Sequence, residues 1–106
     1  MSRPPSEATF QRRVCELLTR HGWYVLEADR ATLKSGYRQR KGAFEPGFPD
    51  LLALKADRHL LIELKTPSGK VRPEQTTLHA RLKTFGIQVA VCRTEEDVLD
   101  VLRGQT

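Results

Sequence analysis

The sequence predicts an α/β fold in which helices flank a mixed central sheet, and two observations carry that expectation. Segments with apolar residues spaced three and four apart alternate along the chain with short runs rich in leucine, isoleucine and valine. A helical segment separates the third strand from the fourth, so those two run parallel through a right-handed crossover. The second and third strands are joined by a tight turn, which makes them an antiparallel hairpin. One sheet must then hold both kinds of pairing. The 106 residues form a single domain, 1–106, long enough to bury about two-thirds of its unfolded surface without disulfides.

Ser6 caps a first helix that runs to about His21 and stops at Gly22, with Glu7 favourably placed in its first turn. Trp23 to Ala28 reads as a strand, and residues 29–49 as a polar, basic loop that orders on its target. Asp50 to Lys55 and His59 to Lys65 are strands around a turn at Ala56, Asp57 and Arg58. Pro73 suits the first turn of a second helix ending at Gly86, and Gln88 to Cys92 makes a fourth strand. Thr94 and Asp97 form an approximate capping box for a short C-terminal helix to about Arg103.

No apolar run approaches the roughly 18–20 residues that span a bilayer, and the N-terminal MSRPPSEATF lacks the apolar core of a signal peptide. The expectation is a cytoplasmic protein without a membrane partner, whose two cysteines, Cys15 and Cys92, are buried free thiols. A net charge of +5 suits nucleic acid, anionic lipid or plain solubility. Its distribution is more telling: Arg30, Lys34, Arg38, Arg40 and Lys41 occur with Tyr37 among them and no acid in between. This segment reads as a phosphate-gripping loop, or more simply as a solvated one.

The informative stretch is GFPDLLALKADRHLLIELKTPSGKVRPEQ, where the best core strands carry charges at their ends. Burying any one of these alone costs several kcal/mol. Period two sets Leu61, Glu63 and Lys65 on one face of the third strand, and hairpin pairing brings Asp50 to the same end of the sheet. On the first helix, Glu7 lies one step back from the stripe Phe10, Val14 and Leu17, whereas Glu16 groups with Arg12, Arg13 and Arg20. On the second, Gln75 lies one step back from Leu78, Leu82 and Phe85. Glu7 can also simply answer the helix dipole, and Gln75 can be an ordinary first-turn residue. Acids gathered on one wall repel unless a cation sits between them. Carboxylate oxygens and water suit Mg²⁺ or Mn²⁺, whereas zinc would recruit cysteine or histidine. The three histidines, His21, His59 and His79, show no ligand spacing and read as surface residues.

Pro49-Asp50, followed thirteen positions later by Glu63-Leu64-Lys65, resembles the PD-(D/E)XK nuclease signature. With GFPD, IELKTPSGKV, Gln75 in RPEQ, and Glu7 and Gln11 in SEATFQ, the chain resembles the VRR-NUC branch of that superfamily over about 90 of its residues. The resemblance implies a restriction-endonuclease-like αβββαβ core and a metal-dependent DNA endonuclease. Asp50, Glu63 and the Leu64 carbonyl would bind the metal, with Glu7 adding a ligand directly or through water. Lys65 would act on the attacking water or on phosphate charge, and Gln75 would support the site. The basic loop, with Lys70 and Arg72, would contact DNA. The chain also resembles the small phage or bacterial members that consist of this domain alone, which implies a homodimer acting on branched DNA such as Holliday junctions in a bacterial or phage-infected cell. Two alternatives stand beside this: a nucleic-acid-binding module without catalysis, and a restriction or repair nuclease working within a larger assembly.

Overall fold

A computed structural model describes residues 6–28 and 45–104. Its first helix, α1 (Glu7–Arg20), begins where Ser6 Oγ accepts the Thr9 amide at 3.1 Å. It ends in a Schellman motif: the Trp23 amide reaches the Leu18 carbonyl and the Gly22 amide the Thr19 carbonyl, both at 3.0 Å. Gly22 adopts φ +90°, a conformation that a side chain would strain. The reversal drops Trp23 into the core and starts β1 (Tyr24–Glu27).

The hairpin follows as β2 (Leu51–Lys55) and β3 (Arg58–Leu64). Arg58 pairs with Lys55, so the turn is Ala56-Asp57 alone, one residue tighter than the sequence suggested, and Ala56 takes φ 54° to close it. Then come α2 (Pro73–Lys83), β4 (Val89–Cys92) and α3 (Glu95–Arg103). The Thr94–Asp97 capping box is present, with Asp97 N–H donating to Thr94 Oγ1 at 3.1 Å. The end of α2 differs from expectation. Thr84 and Phe85 donate to carbonyls three residues back, tightening the last turn before Gly86. That tightening swings Phe85 off the Leu78 stripe, leaving it 73% exposed.

The sheet order is β1-β2-β3-β4, antiparallel through β3 and parallel between β3 and β4. The expected mixed sheet flanked by helices is therefore the fold. One face carries Leu51, Ala53, Leu60, Ile62, Leu64 and Cys92, packed with Phe10, Val14, Leu17 and Leu18 of α1 and Val98 and Leu102 of α3. Each fully buried leucine or valine contributes about 1.5–3 kcal/mol, so this layer supplies most of the hydrophobic stability. The other face of β3 carries Leu61 and Glu63, and Lys65 follows one residue past the end of the strand; all three are buried, as are Gln75 and Leu78 of α2. Among the described residues no helix is long and apolar enough to cross a membrane.

Cys15 and Cys92 are free thiols, Cys92 buried as expected but Cys15, on the edge of the α1 stripe, only half-buried. Burial pushes both up to about 11, with Glu27 adding its charge and a hydrogen bond at Cys15 and Asp97 its charge at Cys92. Since the thiolate is the reactive form, iodoacetamide near neutral pH should label the native protein about tenfold or more slower than the urea-unfolded chain. Equal rates would contradict the packing of these residues.

Candidate active site

The hairpin register builds the site. Leu51 pairs with Ile62, and carried one step further the same register sets Asp50 across from Glu63. Residues opposite one another in antiparallel strands share a face, here the one turned toward α2. Asp50 is held from both sides: its carbonyl accepts the Ala28 amide at 2.9 Å, and its Oδ2 accepts the Leu64 amide at 2.8 Å. Lys65, two residues beyond Glu63 on the same face, brings Nζ to 3.8 Å from Glu63 Oε2. Asp50, Glu63 and Lys65 are 6%, 1% and 9% exposed, so these charges have left water.

Gln75 completes the group from α2. Its Oε1 accepts the Arg72 amide at 2.8 Å, the backward half of a capping box, and its Nε2 donates to Glu63 Oε2 at 2.7 Å. A capping box accepts glutamate or glutamine at this position, but only the amide can also offer a donor to a carboxylate. The start of α2 is pressed onto the segment that leads into Asp50. Gly47 has φ +90°, and a Cβ there would lie 2.6 Å from the Glu74 carbonyl oxygen. Farther along α2, Arg81 Nη2 reaches Glu45 Oε1 at 2.7 Å. One turn after Gln75 lies His79, whose ring is pushed below its ordinary value first by burial and then by the charge of Lys65.

A family model for the VRR-NUC domain matches residues 11–96. The chain belongs to the VRR-NUC domain family. Two solved structures share its fold. A VRR_NUC domain protein, 20% identical, superposes with a TM-score of 0.72 over 95% of this chain and 88% of its own. A second, described as a VRR_NUC domain, is 22% identical with a TM-score of 0.70 over 92% of this chain and 94% of its own. No curated protein matches the sequence. The VRR-NUC assignment makes this a nuclease-type domain, with DNA as the general substrate.

Of the VRR-NUC site residues read from the sequence, the structure brings together Asp50, Glu63, Lys65 and Gln75, with the Leu64 peptide group bonded to Asp50. Glu7 does not face inward as the helical stripe predicts: Ser6, Glu7 and Ala8 are all exposed. Among the described residues no three of His, Cys, Asp and Glu gather closely enough to hold an ion. Lys70 and Arg72 are exposed on the connection from β3 to α2, where Arg72 Nε lies 3.3 Å from Glu74 Oε2. Arg30, Lys34, Tyr37, Arg38, Arg40 and Lys41 lie outside the described residues. Sequence reasoning missed Gly47, for which the GFPD turn was the available signal, and the Glu45–Arg81 pair, for which there was none.

The Gln75 geometry has a pH signature. Gln75→Glu keeps an oxygen for the Arg72 amide but sets a second carboxyl against buried Glu63, so the pair must share a proton and its folded pKa rises. An acid with a raised folded pKa loses stability as pH climbs above the unfolded value. The variant should therefore be destabilised by on the order of 2–3 kcal/mol near neutral pH, with the deficit shrinking toward about pH 5. Thermal melts at the two pH values check this, and a deficit independent of pH would mean the carboxyls do not meet.

Proposed function

We propose that this domain is a Mg²⁺-dependent deoxyribonuclease, with Mn²⁺ able to substitute, that hydrolyses phosphodiester bonds within DNA. The observation that carries the reading is the buried group of Asp50, Glu63, Lys65 and Gln75, assembled from two strands and a helix at one end of the sheet. Its donor chemistry fits the ion. Mg²⁺ is bound through one or two carboxylates, with water and phosphate filling the remaining positions, so two acids suffice without a third. Asp50 and Glu63 would hold it with the Leu64 carbonyl, and any part for Glu7 would run through water. When bound, such an ion supplies positive charge to a phosphodiester and acidifies water.

The chain's own residues do the rest. Gln75, donating to Oε2, fixes the rotamer of Glu63. The Leu64 amide does the same for Asp50, so neither carboxylate has to be ordered when substrate arrives. Lys65 brings a cation to the same wall, where it orients the attacking water or meets charge developing on the phosphate. The water oxygen forms a bond to phosphorus, the bond to the leaving oxygen breaks, and that oxygen gains a proton.

Substrate selection extends the same reading. A domain of this size presents one such site, so paired cuts in a branched molecule such as a Holliday junction need a second copy, and a homodimer fits that need. Lys70 and Arg72 on the loop beside the site, and the basic segment from Arg30 to Lys41, would grip phosphates and read shape rather than base sequence.

Alanine at Asp50, Glu63 or Lys65 should each lower cleavage by on the order of a hundredfold or more while DNA binding persists. EDTA should abolish cleavage by the wild type. Full activity in chelator, or in Glu63→Ala, would sink the assignment, and binding without any cleavage would favour a silent binding module. Affinity should fall steeply with salt, and replacing Arg38 and Arg40 by alanine should make that slope shallower. Light scattering with and without junction, combined with cleavage of four-way and linear duplexes of one sequence, tests the substrate. A monomer cutting both equally at one base sequence would point to a restriction-like subunit.

A further inference from the structure

Beyond Lys65 the chain must leave the sheet without losing hold of its last side chain. The Lys65 amide donates to the Cys92 carbonyl at 3.0 Å. The ladder cannot run on through Pro67, which has no N–H to offer. Arg93, the residue after β4, takes over with its side chain. Its Nη1 donates to the Thr66 carbonyl at 2.9 Å and to the Gly69 carbonyl, with the Pro67 carbonyl at 3.5 Å. The turn it gathers is closed by the Gly69 amide on the Thr66 carbonyl at 3.0 Å.

Arg93 is itself anchored. Its amide donates at 2.8 Å to Asp97 Oδ2, the carboxylate oxygen that also accepts the Thr94 amide at 3.2 Å. Among the described residues the Arg93 guanidinium has no carboxylate within ion-pair distance, and its hydrogen bonds go to backbone carbonyls of this one turn. A guanidinium committed to carbonyls in this way makes charge-assisted bonds with a fixed planar geometry, which lysine cannot copy.

We propose that Arg93 is a positioning residue for Lys65: by tying the Thr66–Gly69 turn to the end of β4, it fixes the stem from which the lysine reaches Glu63. The proposal rests on the nuclease reading only for its effect on rate. Its structural half is tested without metal or DNA. In Arg93→Gln, amide exchange at Lys65 and Gly69, read by NMR, should speed up about tenfold or more, while amides of α1 and of β2 keep wild-type rates. In cleavage assays kcat should fall about tenfold to a hundredfold with KM for DNA within about twofold, as expected when a reacting group is misplaced rather than lost. Arg93→Lys, which keeps the charge but not the fork, should recover only part of the rate, and it serves as the second variant if Arg93→Gln does not fold.

Unchanged exchange at Lys65 and Gly69 overturns the anchoring. A wild-type kcat in either variant, alongside an inactive Lys65→Ala control, overturns the positioning role. A wild-type protein that cuts no DNA, with exchange still raised in Arg93→Gln, overturns the nuclease reading and supports the anchoring.

Discussion

A carboxylate buried in the central strand is the constraint around which the rest is arranged. Glu63 is 1% exposed, and removing such a group from water costs several kcal/mol unless hydrogen bonds and opposite charge compensate. The compensation comes from two directions: the Gln75 amide at 2.7 Å and the Lys65 ammonium at 3.8 Å, both on Oε2. Neither is free to move. Lys65 is fixed two residues further along the chain, and Gln75 spends its oxygen on capping its own helix. The start of α2 therefore has to sit where it does, and Gly47 is the residue that allows it, because any side chain there would meet the backbone of Glu74.

The two faces of the sheet divide stability from chemistry. Toward α1 and α3 the layer is uniformly apolar, from Phe10 across Leu51 and Ile62 to Val98. Toward α2 the buried set is Leu61, Leu78 and four polar or charged residues. Apolar burial is non-directional and tolerant of small shifts, whereas the polar group works only at hydrogen-bond distances. Separating them lets the first layer carry the cost of the second, and it explains how structures only 20% and 22% identical to this chain can share its fold.

Legibility in the sequence followed the same division. Period-two and helical patterns report which face a residue takes, so the element order, the mixed sheet, and the meeting of Asp50, Glu63, Lys65 and Gln75 could all be read. The facings of Glu7 and Phe85 were misjudged for one shared reason. Extrapolating a helical stripe to a terminus assumes that the partner surface extends that far and that the helix keeps its pitch; Glu7 runs off the core, and the tightened last turn moves Phe85. Arg93 was illegible because its bonds go to backbone carbonyls, which every residue carries, at a sequence separation of 24 to 27.

The far end of the hairpin bears on the site as well. A slip of one residue in β2–β3 pairing would move Asp50 away from its place opposite Glu63 and turn its side chain to the other face. Register is set at the turn, about 17 Å away by strand rise. There a two-residue connection closes only because Ala56 accepts a left-handed conformation, at a cost of about 1–2 kcal/mol. Lys55 and Arg58, the pair flanking that turn, stand 5.7 and 5.5 Å from the Trp23 ring, and Lys55 Nζ also donates to the His21 carbonyl at 2.9 Å. A longer, relaxed turn would remove the strain and also one of the two constraints on register, the other being burial of the apolar face. The strained Ala56 and the cations on Trp23 thus hold, from the opposite end of the sheet, the alignment on which the two buried acids depend.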